Sequence, residues 1–218
     1  HTGQSGEDLG TFMPNEFAID GTYSMKLADN LSLGATARFS RSDLTNGMVV
    51  EQQTTKAANS LSADVGLYYQ DDIDRQQSFA VGGFISNLGA KLSYSDDDTD
   101  NEFLPANFRV GGRYSYAIDE YNKVNVLLDM NKLLVPTPPI QDGDELVSDY
   151  YPSMTAYHQT SAMMGAIQSF FDAPGGFREE LQETSLSFGA EYWYAETFAA
   201  RCGYFWEHNN KGGRRYIT

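Results

Sequence analysis

The chain has 218 residues, with 15 Lys and Arg against 30 Asp and Glu, so its formal net charge is −15. That balance excludes a nucleic-acid-binding domain, which needs a basic face to neutralise phosphates. Mean hydropathy is −0.45, and the sequence lacks the unbroken apolar run of about 18 residues that an ordinary transmembrane helix needs. A transmembrane β-barrel is still allowed, because its strands show lipid only every second residue. The 14 Tyr, 13 Phe and 20 Gly suit a strand-rich wall with aromatic girdles.

The chain opens His1-Thr2-Gly3-Gln4, with no signal peptide visible, and closes Arg214-Arg215-Tyr216-Ile217-Thr218, which reads as a strand cut off after it starts. The expectation is an internal fragment, residues 1–218, of a single barrel domain. Between these ends, apolar residues recur at period two. Phe17, Ile19, Gly21, Tyr23, Met25 and Leu27 alternate with Ala18, Asp20, Thr22, Ser24 and Lys26. After the turn Ala28-Asp29-Asn30, Leu31 to Phe39 repeats the pattern, and Leu61 to Tyr69 repeats it again.

Ser78 to Ser95 is too long for a plain strand, and its parity flips. Phe79, Val81, Gly83 and Ile85 are apolar at odd positions; Leu88, Ala90, Leu92 and Tyr94 are apolar at even ones. One inserted residue around Asn87, Leu88 and Gly89, a β-bulge, restores the facing. Further runs follow at Phe108 to Ile118, Val124 to Met130, Leu186 to Tyr194 and Phe198 to Trp206. Each is about ten residues, enough for a tilted strand to cross hydrocarbon.

The second face decides between a soluble sandwich and a membrane barrel. Bulk water would fill it with Lys and Glu. Here it holds Ser, Thr, Gly and Asn, with Arg38, Arg109, Arg113 and Arg201 set among Asp20, Asp64, Asp129, Glu191 and Glu207. That mixture suits a lumen. Tyr69, Tyr116, Tyr194 and Trp206 stand near strand ends, as interfacial aromatics do. Short and long links alternate, as in bacterial barrels. The fold class is therefore all-β: an antiparallel transmembrane β-barrel, represented by eight full strands and the start of a ninth. Free edges cannot stand in lipid, so further strands are expected to close it.

The link from Val135 to Gln182 is long enough to carry structure of its own. It is expected to be an extracellular loop with a short helix. Pro136-Thr137-Pro138-Pro139 makes a rigid exit from the strand, and Asp142, Asp144, Glu145 and Asp149 make an acidic stretch. Ser161 to Phe171 reads as the helix, with Met163, Met164, Ile167, Phe170 and Phe171 on one stripe. Two readings are open: a helix folded over the barrel mouth, or an apolar surface that grips cargo or another partner. Asp96 to Glu102 reads as a solvated acidic loop, since it lacks EF-hand spacing. His158 has no nucleophile motif around it, and Cys202 reads as a small apolar side chain. No catalytic residue, metal site or cofactor site is assigned.

The run Leu128-Asp129-Met130-Asn131-Lys132-Leu133-Leu134-Val135-Pro136-Thr137-Pro138-Pro139 resembles the PorV family (also called LptO), outer-membrane barrels of the type IX secretion system in Bacteroidetes-type bacteria. Pro14 to Asp20, Arg41 to Thr45, Ile85 to Gly89 and Asp119 to Tyr121 resemble it as well. The most specific positions are Asn131, Lys132, Pro136 and Pro138. The resemblance implies a FadL-like barrel with fourteen strands, three before His1 and two after the last one begun here. It implies a non-enzymatic shuttle in the bacterial outer membrane, bathed by outer-membrane lipid. Such a shuttle takes secreted cargo by its C-terminal signal domain from the type IX translocon to a sortase-like attachment protease. The alternative is a FadL-like transporter of hydrophobic small molecules, which the polar lumen disfavours.

Overall fold

The computed structural model describes residues 14–43, 49–50, 53–54, 56–93, 101–142, 145–147 and 151–218. Nine strands form one sheet in strict sequence order: β1 (Asn15–Ala28), β2 (Leu31–Asp43), β3 (Ala58–Asp72), β4 (Gln77–Gly89), β5 (Asn107–Ala117), β6 (Asn122–Leu133), β7 (Thr184–Tyr194), β8 (Phe198–Trp206) and β9 (Arg215–Ile217). Every neighbouring pair is antiparallel. The sheet is open, with β1 and β9 at its edges. The fold is thus all-β, as the period-two runs require.

Burial along the wall is inverted relative to a soluble sheet. On β3, Ser60 and Ser62 are 3% and 8% exposed, while Leu61 between them is 68% exposed. On β6, Asn125 is buried and Val126 is exposed; on β5, Ser115 is buried between exposed Tyr114 and Tyr116. The apolar set faces outward and the polar set faces inward. In water such an arrangement would leave a large apolar area uncovered, whereas in hydrocarbon it is the stable one.

Short turns gather at one end of the wall. Asp74 accepts hydrogen bonds from the N–H groups of Gln76 and Gln77, and Asp119 accepts them from Tyr121 and Asn122. These Asx turns fix the two hairpins locally. Ala195 and Glu196 both have positive φ at the centre of a tight turn that the Thr197 N–H closes on the Tyr194 carbonyl, at 3.1 Å. The long links lie at the other end.

The structure refines the sequence reading in three places. β4 stops at Gly89 and does not run to Ser95. Beyond it Ala90 still bonds to Leu61, and Leu92 pairs with Glu102 in an isolated bridge. Small hairpins, Ile140–Asp142 with Glu145–Val147 and Val49–Val50 with Gln53–Thr54, lack any sequence signal strong enough to announce them. The long link carries three short helices rather than one: α1 (Met154–Gln159), α2 (Ala162–Gln168) and α3 (Phe177–Gln182). Ser153 and Ser161 cap the first two by accepting from Ala156 and Met164.

Candidate functional site: the loop clamp at the rim

The sequence parity places Phe108, Ile85 and Leu88 on the outer face of the wall. Ala166 of α2 and Phe170 pack against these residues, together with Ala106 and Leu134. The rings of Phe108 and Phe170 meet edge to face at 5.9 Å. The long link therefore folds back over the outside of the wall. The expectation of a helix across the mouth is not what these contacts show.

The proline-rich run is what fastens it. Pro136 is fully buried. Tyr157 of α1 donates its hydroxyl to the Pro136 carbonyl at 3.3 Å, and burial pushes its pKa up to about 12. Gly165 lets α2 approach: a β-carbon there would sit 2.6 Å from the Phe103 ring and 3.1 Å from Pro136. The Thr137 N–H donates to Asp172 at 2.8 Å. Lys91 completes the cluster, donating to the His158 carbonyl at 2.8 Å with its ammonium 3.7 Å from the centre of the Phe103 ring.

Lys132 makes the second fastening. Its position in β6 also faces outward, and it is 5% exposed. Its ammonium lies 2.8 Å from Glu180 and 2.7 Å from Glu183, carboxylates on or beside α3. Glu180 also accepts from the Ala173 N–H, at 2.8 Å. Lys211, from the link between β8 and β9, reaches Glu179 and Glu183 at 2.8 and 2.9 Å. Three chain segments thus meet in one ion network. Pro138 is exposed, and Asn131 is held through its carbonyl, which accepts from Ser185 at 3.5 Å.

The predicted Met/Phe stripe divides. Gly165, Ala166 and Ser169 face the wall, Phe170 packs there too, and Met163, Met164, Ile167 and Phe171 are exposed. The helix ends at Gln168, and i→i+3 bonds from Phe170 and Phe171 tighten the chain after it. Phe170 is thereby turned inward. Tyr157, Phe103, Asp172 and Glu180 are the clamp residues that sequence reading missed. They recur at no period, and only the folded loop brings them to the proline run.

Asp172 gives the clamp a pH dependence. Burial raises its carboxyl, the Glu180 and Glu183 charges add to that, and the Thr137 N–H opposes it. A raised folded-state pKa means that ionising Asp172 costs more in the folded loop than in the released one. Its contribution is therefore most favourable below its unfolded pKa and declines as pH rises through that value towards the folded one. Asp172→Asn keeps an acceptor for Thr137 and removes the charge. Protease resistance of the loop, followed from acid to neutral pH, is expected to fall less in this variant than in the wild type. An identical pH profile would rule out Asp172 as the source.

Deeper in the wall, the bulge is held by charge. Val65 pairs with Ile85 and Ala63 with Leu88, so Ser86 and Asn87 stand against Asp64. Asn87 has φ 57°, a conformation that Asn tolerates better than most residues. Its N–H donates to Asp64 at 2.7 Å, and its side-chain oxygen accepts from Arg38 at 2.5 Å. Arg38 also grips Asp20 in a two-pronged contact of 2.8 and 3.0 Å. Leu88 is turned outward, and Gly89 closes against Leu61 and Ser62.

The inner face has a hollow of about 570 Å³ between Ser24 and Asp129. Gly66 and Gly82 form part of its floor, under Phe84 and Tyr68. Arg109 and Arg113 line one side. Alternation suggested a lumen of small polar and charged residues; Phe84 and Leu127 add apolar surface to it, where inner-face Gly66 and Gly189 leave room for them. Among the described residues no cluster of His, Cys, Asp and Glu is arranged to hold a metal ion. The Asp96–Asp100 part of the acidic loop, and Asp144 and Asp149, lie outside the described residues.

A family model described as type IX secretion system protein PorV matches residues 3–140. That span covers β1 to β6 and the proline-rich run. No curated protein matches the chain.

Proposed function

The chain belongs to the PorV family of type IX secretion system proteins, and from that premise we propose that it works in the bacterial outer membrane as a cargo shuttle. The family is one of secretion components and not a known enzyme family. In this reading the chain is part of a FadL-like barrel domain, and residues 135–182 form an extracellular loop. The shuttle receives secreted proteins by their C-terminal signal domain at the translocon and hands them to the sortase-like attachment protease. The observation that carries the reading is the family match, which ends on the very segment that clamps the loop to the wall. The inverted burial pattern supports the membrane setting.

Purification of the native protein from outer membranes tests it. Signal-domain cargo or translocon is expected to co-purify, and deletion is expected to trap cargo inside the cell. A solitary protein together with normal secretion in the deletion strain would sink the proposal. A second reading, transport of hydrophobic small molecules, draws on the inner hollow beside Phe84 and Leu127. It predicts lost uptake with secretion intact.

A further inference from the structure

We propose that α2 and the turn after it lie in the outer leaflet of the membrane, with Met163, Met164, Ile167 and Phe171 against lipid. The inference rests on the membrane reading of the wall and not on cargo carriage.

The first ground is continuity. α2 is seated on Ile85, Leu88 and Phe108, which belong to the outward, lipid-facing set of the wall. Whatever bathes that face below the helix also meets the helix that rests on it. The second ground is height. From Ile118, just past the end of β5, to Phe108 at its start, the outer residues climb roughly 25 Å at the usual strand rise and tilt, the height of the apolar band on such barrels. α2 therefore sits at the upper edge of that band, at the level of the headgroups and first acyl carbons. The third ground is composition. Ser161 to Phe171 contains no charged residue. The next charge, Asp172, is turned inward to Thr137 and is 5% exposed.

The exposure follows the same division. Met163, Met164, Ile167 and Phe171 are 63%, 51%, 55% and 67% exposed, while Gly165 and Ala166 on the opposite side are buried. A segment lying in water would leave this surface uncovered. An interfacial helix instead buries its apolar face among headgroups and acyl chains. Flexible Met side chains suit that irregular medium. The loop is then fixed from two sides: the clamp residues hold it to the wall, and the four apolar side chains hold it to the leaflet.

The test uses the full-length protein in native outer membranes. Ile167→Cys, in a Cys202→Ser background, is labelled with a benzophenone maleimide and irradiated. Val126→Cys on the outer wall serves as the lipid control, and Glu196→Cys in a turn as the aqueous control. The expected result is a lipid adduct at position 167, within about threefold of the Val126 yield, as for an interfacial helix. A cross-linked protein in place of lipid would overturn the proposal and give this surface to a partner. A yield no higher than at position 196 would overturn it too. If Val126 itself gives no lipid adduct, the membrane reading of the wall has failed, and the seat in lipid falls with it. Loss of cargo co-purification alone would leave the lipid adduct in place.

Discussion

Lys132→Ala is expected to release the long loop from the rim. The ammonium is almost fully buried between Glu180 and Glu183. Its removal leaves Glu180, itself 7% exposed, without its cation in a poorly hydrated site. Breaking a buried pair from one side costs about 3–5 kcal/mol. Lys211 still holds Glu179 and Glu183, so the loss is concentrated at Glu180. Limited proteolysis of intact membranes measures this. Where opening is fast relative to cleavage, the rate within residues 135–182 follows the population of the open loop, so a rise of roughly a hundredfold to a few thousandfold is expected. The wall should keep its thermal stability, because Lys132 is next to the last residue of β6 and the ladder below it is untouched. The double variant Lys132→Met, Glu180→Leu removes both charges and is expected to recover much of the protection. Equal protection in Lys132→Ala and wild type would show that the proline run alone fixes the loop.

Gly89→Val is expected to destabilise the wall itself. A β-carbon at Gly89 would fall 2.4 Å from the Leu61 carbonyl and 2.5 Å from Ser62 Cβ. Neither can retreat without moving β3. The strand end must shift, and with it the Ala90 N–H to Leu61 bond and the Ser60 hydroxyl to Ala90 carbonyl bond. Leu88, which helps seat α2, would move too. Overpacking of this kind costs about 1–3 kcal/mol, and the lost ladder bonds add to it. Gly112→Ala is the control, since a β-carbon there meets nothing nearer than the Ala80 carbonyl at 3.6 Å. Urea unfolding of the refolded protein in detergent should show a lower midpoint for Gly89→Val and little change for Gly112→Ala. Equal midpoints would mean that the strand end yields freely.

The two variants separate two layers of the molecule. Gly89 belongs to the wall, whose strength is backbone pairing. Lys132 belongs to the clamp, whose strength is a few buried polar contacts. The family match covers both, since residues 3–140 end just after Pro136 to Pro139. The helices and glutamates that complete the clamp lie beyond that span.

The wall was legible in the sequence because its physics is local. Side chains alternate at every residue, so Leu61 beside Ser62, or Val126 beside Asn125, reveals facing and medium without any knowledge of partners. The parity change between Ile85 and Leu88 was readable for the same reason, as one extra residue exchanges the two faces. Parity puts Phe84 on the inner face, but the room it occupies was not readable, because that depends on Gly66 in the neighbouring strand. The clamp was not readable either. Lys132 and Glu180 stand 48 residues apart, and nothing in either neighbourhood names the other. Alternation thus determined the strands and which of their two faces is apolar. The tertiary structure decided that the long loop lies on the outside of the wall, because the apolar seat of α2, formed by Ile85, Leu88 and Phe108, faces outward there.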